Sequence, residues 1–198
     1  MGKFQSAGPP KRGTNAERRG REHLTPNEVD ALMEAARSIG RHGLRDTTMI
    51  LMAYRHALRV SELVALRWDQ VDLEEGLLHV RRRKNGVGST HPLRGPELRA
   101  LRELGRRYPG SAGYLFVSER GGPLTTSTVR KMIARAGELS SIEFSVHPHM
   151  LRHATGFYLA GQGHDTRAIQ HYMGHRNIQH TVRYTELAPD RFKEFWGD

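Results

Sequence analysis

Three short stretches in the C-terminal third concentrate groups that hold phosphate and move protons: His147-Pro148-His149-Met150-Leu151-Arg152-His153, then Gly174-His175-Arg176-Asn177, then Thr181-Val182-Arg183-Tyr184-Thr185. On a helix His149 sits three residues from Arg152 and four from His153, so these side chains share a face and one phosphate can touch several of them. Attack on a phosphodiester near neutral pH needs cationic donors on the nonbridging oxygens, a nucleophile, a base for it and an acid for the leaving oxygen. Arginine suits the first task because its planar fork matches phosphate bidentately. Each residue also has an ordinary reading. Arg59 can complement the negative end of the helix before it and Arg152 can be a surface ion pair. His153 and His171 can be buried, hydrogen-bonded helix residues, and Tyr184 a core aromatic.

These groups must be positioned by a mostly helical body. Order begins at Thr25-Pro26-Asn27-Glu28, where a Thr N-cap, Pro at the first helical position and Glu at N3 form a capping box. Val29, Leu32, Met33, Ala36 and Ile39 follow at helical spacing, and Gly40 ends the run. The pattern predicts a second helix from Asp46 to about Ala57 and a third capped by the Ser61 hydroxyl, with Arg59 in the joint between them. Leu77 to Arg82 and Ser89 to Leu93 flank Lys84-Asn85-Gly86, and Asn-Gly between extended segments signals a hairpin turn. Further helices are read at 97–107, 126–137, 148–160, 165–173 and 178–185. The expected fold class is α+β, mainly helical with one small antiparallel sheet.

The chain has 198 residues, 31 Lys+Arg against 21 Asp+Glu and a formal net charge of +10. That length fits one domain plus an appendage, and 37% hydrophobic content is enough for a core. The absence of cysteine excludes a disulfide scaffold, a thiolate zinc site, an iron-sulfur cluster and a cysteine nucleophile. No apolar stretch approaches the roughly 20 residues that span a bilayer, so a cytoplasmic, nucleoid-associated protein with no membrane partner is expected. The basic excess points to a polyanionic partner, nucleic acid before membrane. Residues 1–22 carry six basic residues against two acidic ones and little apolar material, which reads as a disordered basic arm ahead of a single domain over 23–198.

Five motifs in order, Ala57-Leu58-Arg59-Val60-Ser61-Glu62-Leu63, Arg83-Lys84-Asn85-Gly86, His149-Met150-Leu151-Arg152-His153, Gly174-His175-Arg176-Asn177-Ile178 and Tyr184, resemble the catalytic domain of a tyrosine site-specific recombinase of the phage-integrase family. The second half of the pattern is especially similar to the short recombinases that invert the fimbrial phase-variation switch. His175 stands nine residues before Tyr184, and the likeness covers about residues 22 to 195.

The resemblance implies Tyr184 as nucleophile, leaving a 3′-phosphotyrosyl enzyme and a free 5′-hydroxyl. It implies Arg59 and Arg152 as clamps on the nonbridging oxygens, Lys84 as general acid, His149 as general base near the phenol, and His175 as a further donor to phosphate. Glu62 would orient part of the site and His153 would support it. A site crowded with cations is expected to favour the phenolate. Arg81, Arg82, Arg83, Arg176 and Arg183 are expected DNA contacts. No metal or nucleotide cofactor is implied. The implied partner is duplex DNA carrying specific sites, bound by a homo-tetramer and assisted by accessory DNA-bending proteins, with weak, salt-sensitive binding by the monomer. The segment Asp190 to Asp198, with Phe192, Phe195 and Trp196, can dock on a neighbouring subunit or on its own core. Three rivals stand beside this reading. His149/His153 and His171/His175 have the i, i+4 spacing of helical zinc ligands, but the Glu of an H-E-x-x-H motif is missing from both. A noncatalytic DNA-binding regulator would share the fold, and a type IB topoisomerase would share the chemistry.

Overall fold

The computed structural model describes residues 21–82, 87–109 and 113–186. Nearly all of the basic arm, the hairpin turn with Arg83 and Lys84, and the segment Asp190 to Asp198 lie outside the described residues. Helix α1, Pro26–Ser38, opens on the capping box read from the sequence. The Thr25 backbone N–H donates to Glu28 Oε2 at 2.7 Å, and the Glu28 N–H donates back to Thr25 Oγ1 at 3.3 Å. Its apolar face, Val29, Leu32 and Ala36, is fully buried against α2 and α5.

Helix α2, Gly43–Arg55, starts three residues earlier and ends two residues earlier than its pattern suggests. Gly40, at φ +62°, turns the chain into a short 3₁₀ segment that runs straight into α2. At the far end Ala57 adopts φ +50°, which no α-helix can continue. Helix α3, Val60–Leu63, is capped by Arg59 rather than by Ser61: the Arg59 backbone N–H donates to Glu62 Oε2 at 2.9 Å, and Ser61 lies inside the turn. The acid three residues on therefore outcompetes the serine hydroxyl as the capping group.

The sheet is antiparallel in the order β1 (Val71–Asp72), β2 (Leu77–Val80), β3 (Ser89–Pro92), with Leu78 opposite His91 and Val80 opposite Ser89. The hairpin read from Asn-Gly thus pairs as expected, and β1 is a two-residue addition too short to show in the pattern. Helices α4 (Gly95–Arg107), α5 (Thr126–Leu139), α6 (Pro148–Gly161), α7 (Thr166–Met173) and α8 (Gln179–Glu186) match their expected positions within two residues. The main core joins α1, α2, α4, α5, α6 and the sheet. A second small cluster, Ala57, Ala160, Ile169, Met173 and Tyr184, sits where α6, α7 and α8 meet the end of α2. Among the described residues no helix is long and apolar enough to cross a membrane.

Candidate active site

The second cluster carries the polar groups singled out in the sequence. Pro148 at the first turn of α6 starts the helix that presents His149, Arg152 and His153. Arg152 is 1% exposed, and its two terminal nitrogens donate to the carbonyls of Ala57 and Met173, the latter at 2.8 Å. The left-handed turn at Ala57 aims that carbonyl inward. Among the described residues no carboxylate pairs directly with Arg152: burial and then the charges of Arg59 and Arg82 push its pKa down to about 9. A guanidinium held in a dry site by neutral carbonyls, beside two more cations, is a receptor for an anion.

Arg59 stands at the mouth, its side chain 38% exposed, with Nη1 on Glu62 Oε1 at 2.8 Å. Burial would raise the Glu62 pKa, but the Arg59 N–H, the Arg82 charge and the Arg59 side chain outweigh it and hold the carboxyl below its usual range. Arg59 also borders a cleft of about 640 Å³ shared with Arg167, Gln170, His175, Arg176, Asn177 and His180. His175 follows Gly174, the left-handed cap of α7, and its Nδ1 lies 2.8 Å from Thr181 Oγ1. Burial, then Arg152 and Arg59, push the His175 pKa to about 3, so the ring is neutral at physiological pH.

Tyr184 comes from α8 and is 2% exposed. Its ring stacks on His175 at 6.3 Å between centroids and meets Phe157 edge-on at 5.1 Å. Gly156 makes room for it, because a Cβ there would fall 2.7 Å from two of its ring carbons. Its hydroxyl lies 2.8 Å from Nδ1 of His153, whose pKa burial and the neighbouring His149 push to about 3. His149 packs edge-on against His153 at 4.4 Å and reaches the surface. Burial, then Arg152 and His147, lower its pKa as well.

A model of the phage integrase family matches residues 22–191. The chain belongs to that family. This phage integrase chain is 44% identical over 181 residues to FimE of Escherichia coli (strain K12), a type 1 fimbriae regulatory protein, covering 89% of the chain and 91% of FimE. It is 38% identical to FimB of the same strain, covering 91% of this chain and 92% of FimB. A crystal structure of XerA recombinase superposes with a TM-score of 0.75 at 30% identity, covering 87% of this chain and 63% of that one. The activity class is accordingly that of a tyrosine recombinase.

Within this integrase fold the structure brings together Arg59, Glu62, His149, Arg152, His153, His175 and Tyr184. Three expectations change. The imidazole on the phenol is His153, and His149 stands one ring further out, because the α6 face turned toward Tyr184 is that of His153 and Gly156. Burial raises the Tyr184 pKa and outweighs the lowering by Arg152 and Arg183, so the resting phenol is protonated rather than ionised. Arg82 is not a surface DNA contact: its side chain is 0% exposed and pairs with Glu62 Oε2 at 2.9 Å. Leu78, Val80 and Arg82 alternate onto the inward face of the hairpin, a period-two signal readable in the sequence.

The other expected DNA contacts among the described residues lie on the surface. Arg81 is exposed, 3.7 Å from Asp69; Arg176 is exposed in the cleft; Arg183 is exposed and paired with Glu22. His171, expected to be buried, is exposed on α7. Arg167, Gln170 and His180 join the cleft without having been singled out. Arg167 and Gln170 are three apart on α7 and bonded to each other at 3.3 Å, a spacing that could have flagged them.

Proposed function

We propose that the chain breaks and rejoins duplex DNA at specific sites through Tyr184. The hydroxyl oxygen of Tyr184 attacks the scissile phosphorus, the new Tyr–O–P bond forms as the P–O5′ bond breaks, and a 3′-phosphotyrosyl enzyme and a 5′-hydroxyl result. The phenol proton passes to the neutral imidazoles of His153 and His149, and Lys84 supplies the proton taken up by O5′. Arg59 and Arg152 hold the nonbridging oxygens, with His175 as a further donor. Religation reverses the same bonds and needs no metal or nucleotide. Because the phenol is buried at rest, attack requires α8 to draw Tyr184 out from Phe157 toward the cleft while its hydroxyl stays within reach of the α6 imidazoles.

The observation that carries this reading is the convergence on one enclosure of a tyrosine hydroxyl, a buried, carbonyl-anchored guanidinium and two neutral imidazoles. The likeness to two fimbriae regulatory proteins favours inversion between inverted repeats as the outcome. The working form is a homo-tetramer on two duplexes, assisted by DNA-bending proteins, with Arg176, Arg183, Arg81 and Arg83 on the phosphate backbone.

The test is a pool of nicked duplexes with randomised sequence on either side of the nick. Cleavage near the nick releases a short strand and traps covalent protein on DNA; sequencing the trapped strand yields the site. Wild-type protein is expected to give an adduct resistant to detergent, and Tyr184→Phe none. A plasmid bearing two inverted copies of the recovered site is expected to invert the segment between them; relaxation of the plasmid without inversion would instead mark a topoisomerase.

A further inference from the structure

Arg82 lies two residues beyond the end of β2 and reaches into the site from below. Its Nη1 donates to Glu62 Oε2 at 2.9 Å and to the Ala57 carbonyl at 3.3 Å. Its Nη2 donates to the Tyr172 carbonyl at 2.6 Å and the His56 carbonyl at 3.4 Å. Three of these four partners lead to different proposed phosphate ligands. Glu62 is the carboxylate that holds Arg59 through its backbone N–H and its guanidinium. Ala57 is the carbonyl that Arg152 also uses. Tyr172 belongs to the last turn of α7, two residues before Gly174 and three before His175. Gly174 is bare where Arg82 passes: a Cβ there would fall 2.6 Å from Arg82 Nε. One buried guanidinium therefore bonds directly to the segments that supply Arg59 and His175, and it shares the Ala57 carbonyl with Arg152.

We infer that Arg82 is a positioning residue for phosphate binding, fixing Arg59, Arg152 and His175 relative to one another without touching DNA. This rests on the reading of Arg59 and Arg152 as the phosphate clamp. Lysine at this position can still face Glu62, but one ammonium cannot also reach three carbonyls spread around a planar fork. Misplacing a clamp by a fraction of an ångström to an ångström costs up to on the order of 100-fold in rate. A clamp matters most where charge builds on the nonbridging oxygens. Its loss is felt less when one of those oxygens is replaced by a methyl group and the diester becomes neutral.

The experiment compares single-turnover cleavage of a nicked duplex bearing the recovered site, as the native phosphodiester and as a scissile methylphosphonate, for the wild type, Arg82→Lys, Arg82→Met and Arg59→Ala. Arg82→Lys is chosen because it keeps a cation beside Glu62 and so keeps the fold; its melting temperature checks this. The expected result is native-phosphate cleavage slowed about 10- to 100-fold in Arg82→Lys and more in Arg82→Met. On the methylphosphonate both defects shrink several-fold, in parallel with Arg59→Ala. If Arg59→Ala recovers on the methylphosphonate but Arg82→Lys is slowed equally on both substrates, or is not slowed at all, Arg82 does not position the clamp. If Arg59→Ala itself fails to recover, the clamp reading fails first and takes this inference with it.

Discussion

The hydroxyl of Tyr184 lies 2.8 Å from Nδ1 of His153, one helical turn along α6 from the glycine that gives its ring room. A methyl group at Gly156 would meet Cε2 and Cζ of Tyr184 at 2.7 Å, inside van der Waals contact. Gly156→Ala is therefore expected to cost about 1–3 kcal/mol in denaturant unfolding, as overpacking does. Tyr184→Ala in the same background should remove most of that penalty, giving a strong coupling in the double-mutant cycle. Additive losses would mean that the ring does not rest against Gly156.

Acid should loosen this fold earlier than carboxylate titration alone predicts. His56 and His91 are buried with their Nδ1 atoms 3.3 Å apart, and burial pushes both pKa values to about 3. The folded chain holds them neutral while the unfolded chain protonates them below about pH 6.5, so the unfolded state binds more protons from there down to about pH 3. Stability consequently falls as pH falls through that window, by about 2 kcal/mol for each ring at pH 5. Urea unfolding at pH 7 and pH 5 measures the difference. A flat profile would show that these imidazoles are not held neutral.

Ala57 is the one non-glycine residue with positive φ among the described residues, at +50°, and its carbonyl serves both Arg152 and Arg82. Left-handed backbone costs an L-residue roughly 1–2 kcal/mol and costs glycine little. Ala57→Gly should leave the protein as stable as wild type or more stable, by up to about 1 kcal/mol, with cleavage retained, whereas Ala57→Val should destabilise it and slow cleavage. Thermal melts of the two variants decide it; a stabilising valine would contradict the turn geometry.

Arg167 and Arg176 border the cleft beside Arg59. With the DNA backbone lying along this cleft, removing either as alanine should weaken DNA binding by a similar factor on any sequence and reduce the slope of log K against log salt by about 1. An unchanged slope with lost affinity would place that arginine away from phosphate.

Motif order makes the family, the hairpin and most of the site legible in the sequence, because residue type and spacing survive in a linear string. Burial does not. Arg81 and Arg82 are the same residue in adjacent places, yet one faces solvent beside Asp69 and the other closes the floor of the site. Only strand alternation from Leu78 and Val80 separates them. His149 and His153 likewise share a helix face, and which of them meets the phenol depends on how α8 docks against Gly156, a contact between segments 28 residues apart. The protonation of the phenol is hidden from the sequence for a related reason: counting nearby cations leaves out the desolvation that their enclosure imposes.

The central claim is that Tyr184 forms the bond to DNA. The direct measurement is mass spectrometry of the nuclease-trimmed, proteolysed adduct from the nicked-duplex reaction, with end analysis of the released strand. The account predicts a nucleotide mass on the peptide at Tyr184 and a 5′-hydroxyl on the released strand. A nucleotide on any other residue, an adduct formed by Tyr184→Phe, or a 5′-phosphate on the released strand would contradict it.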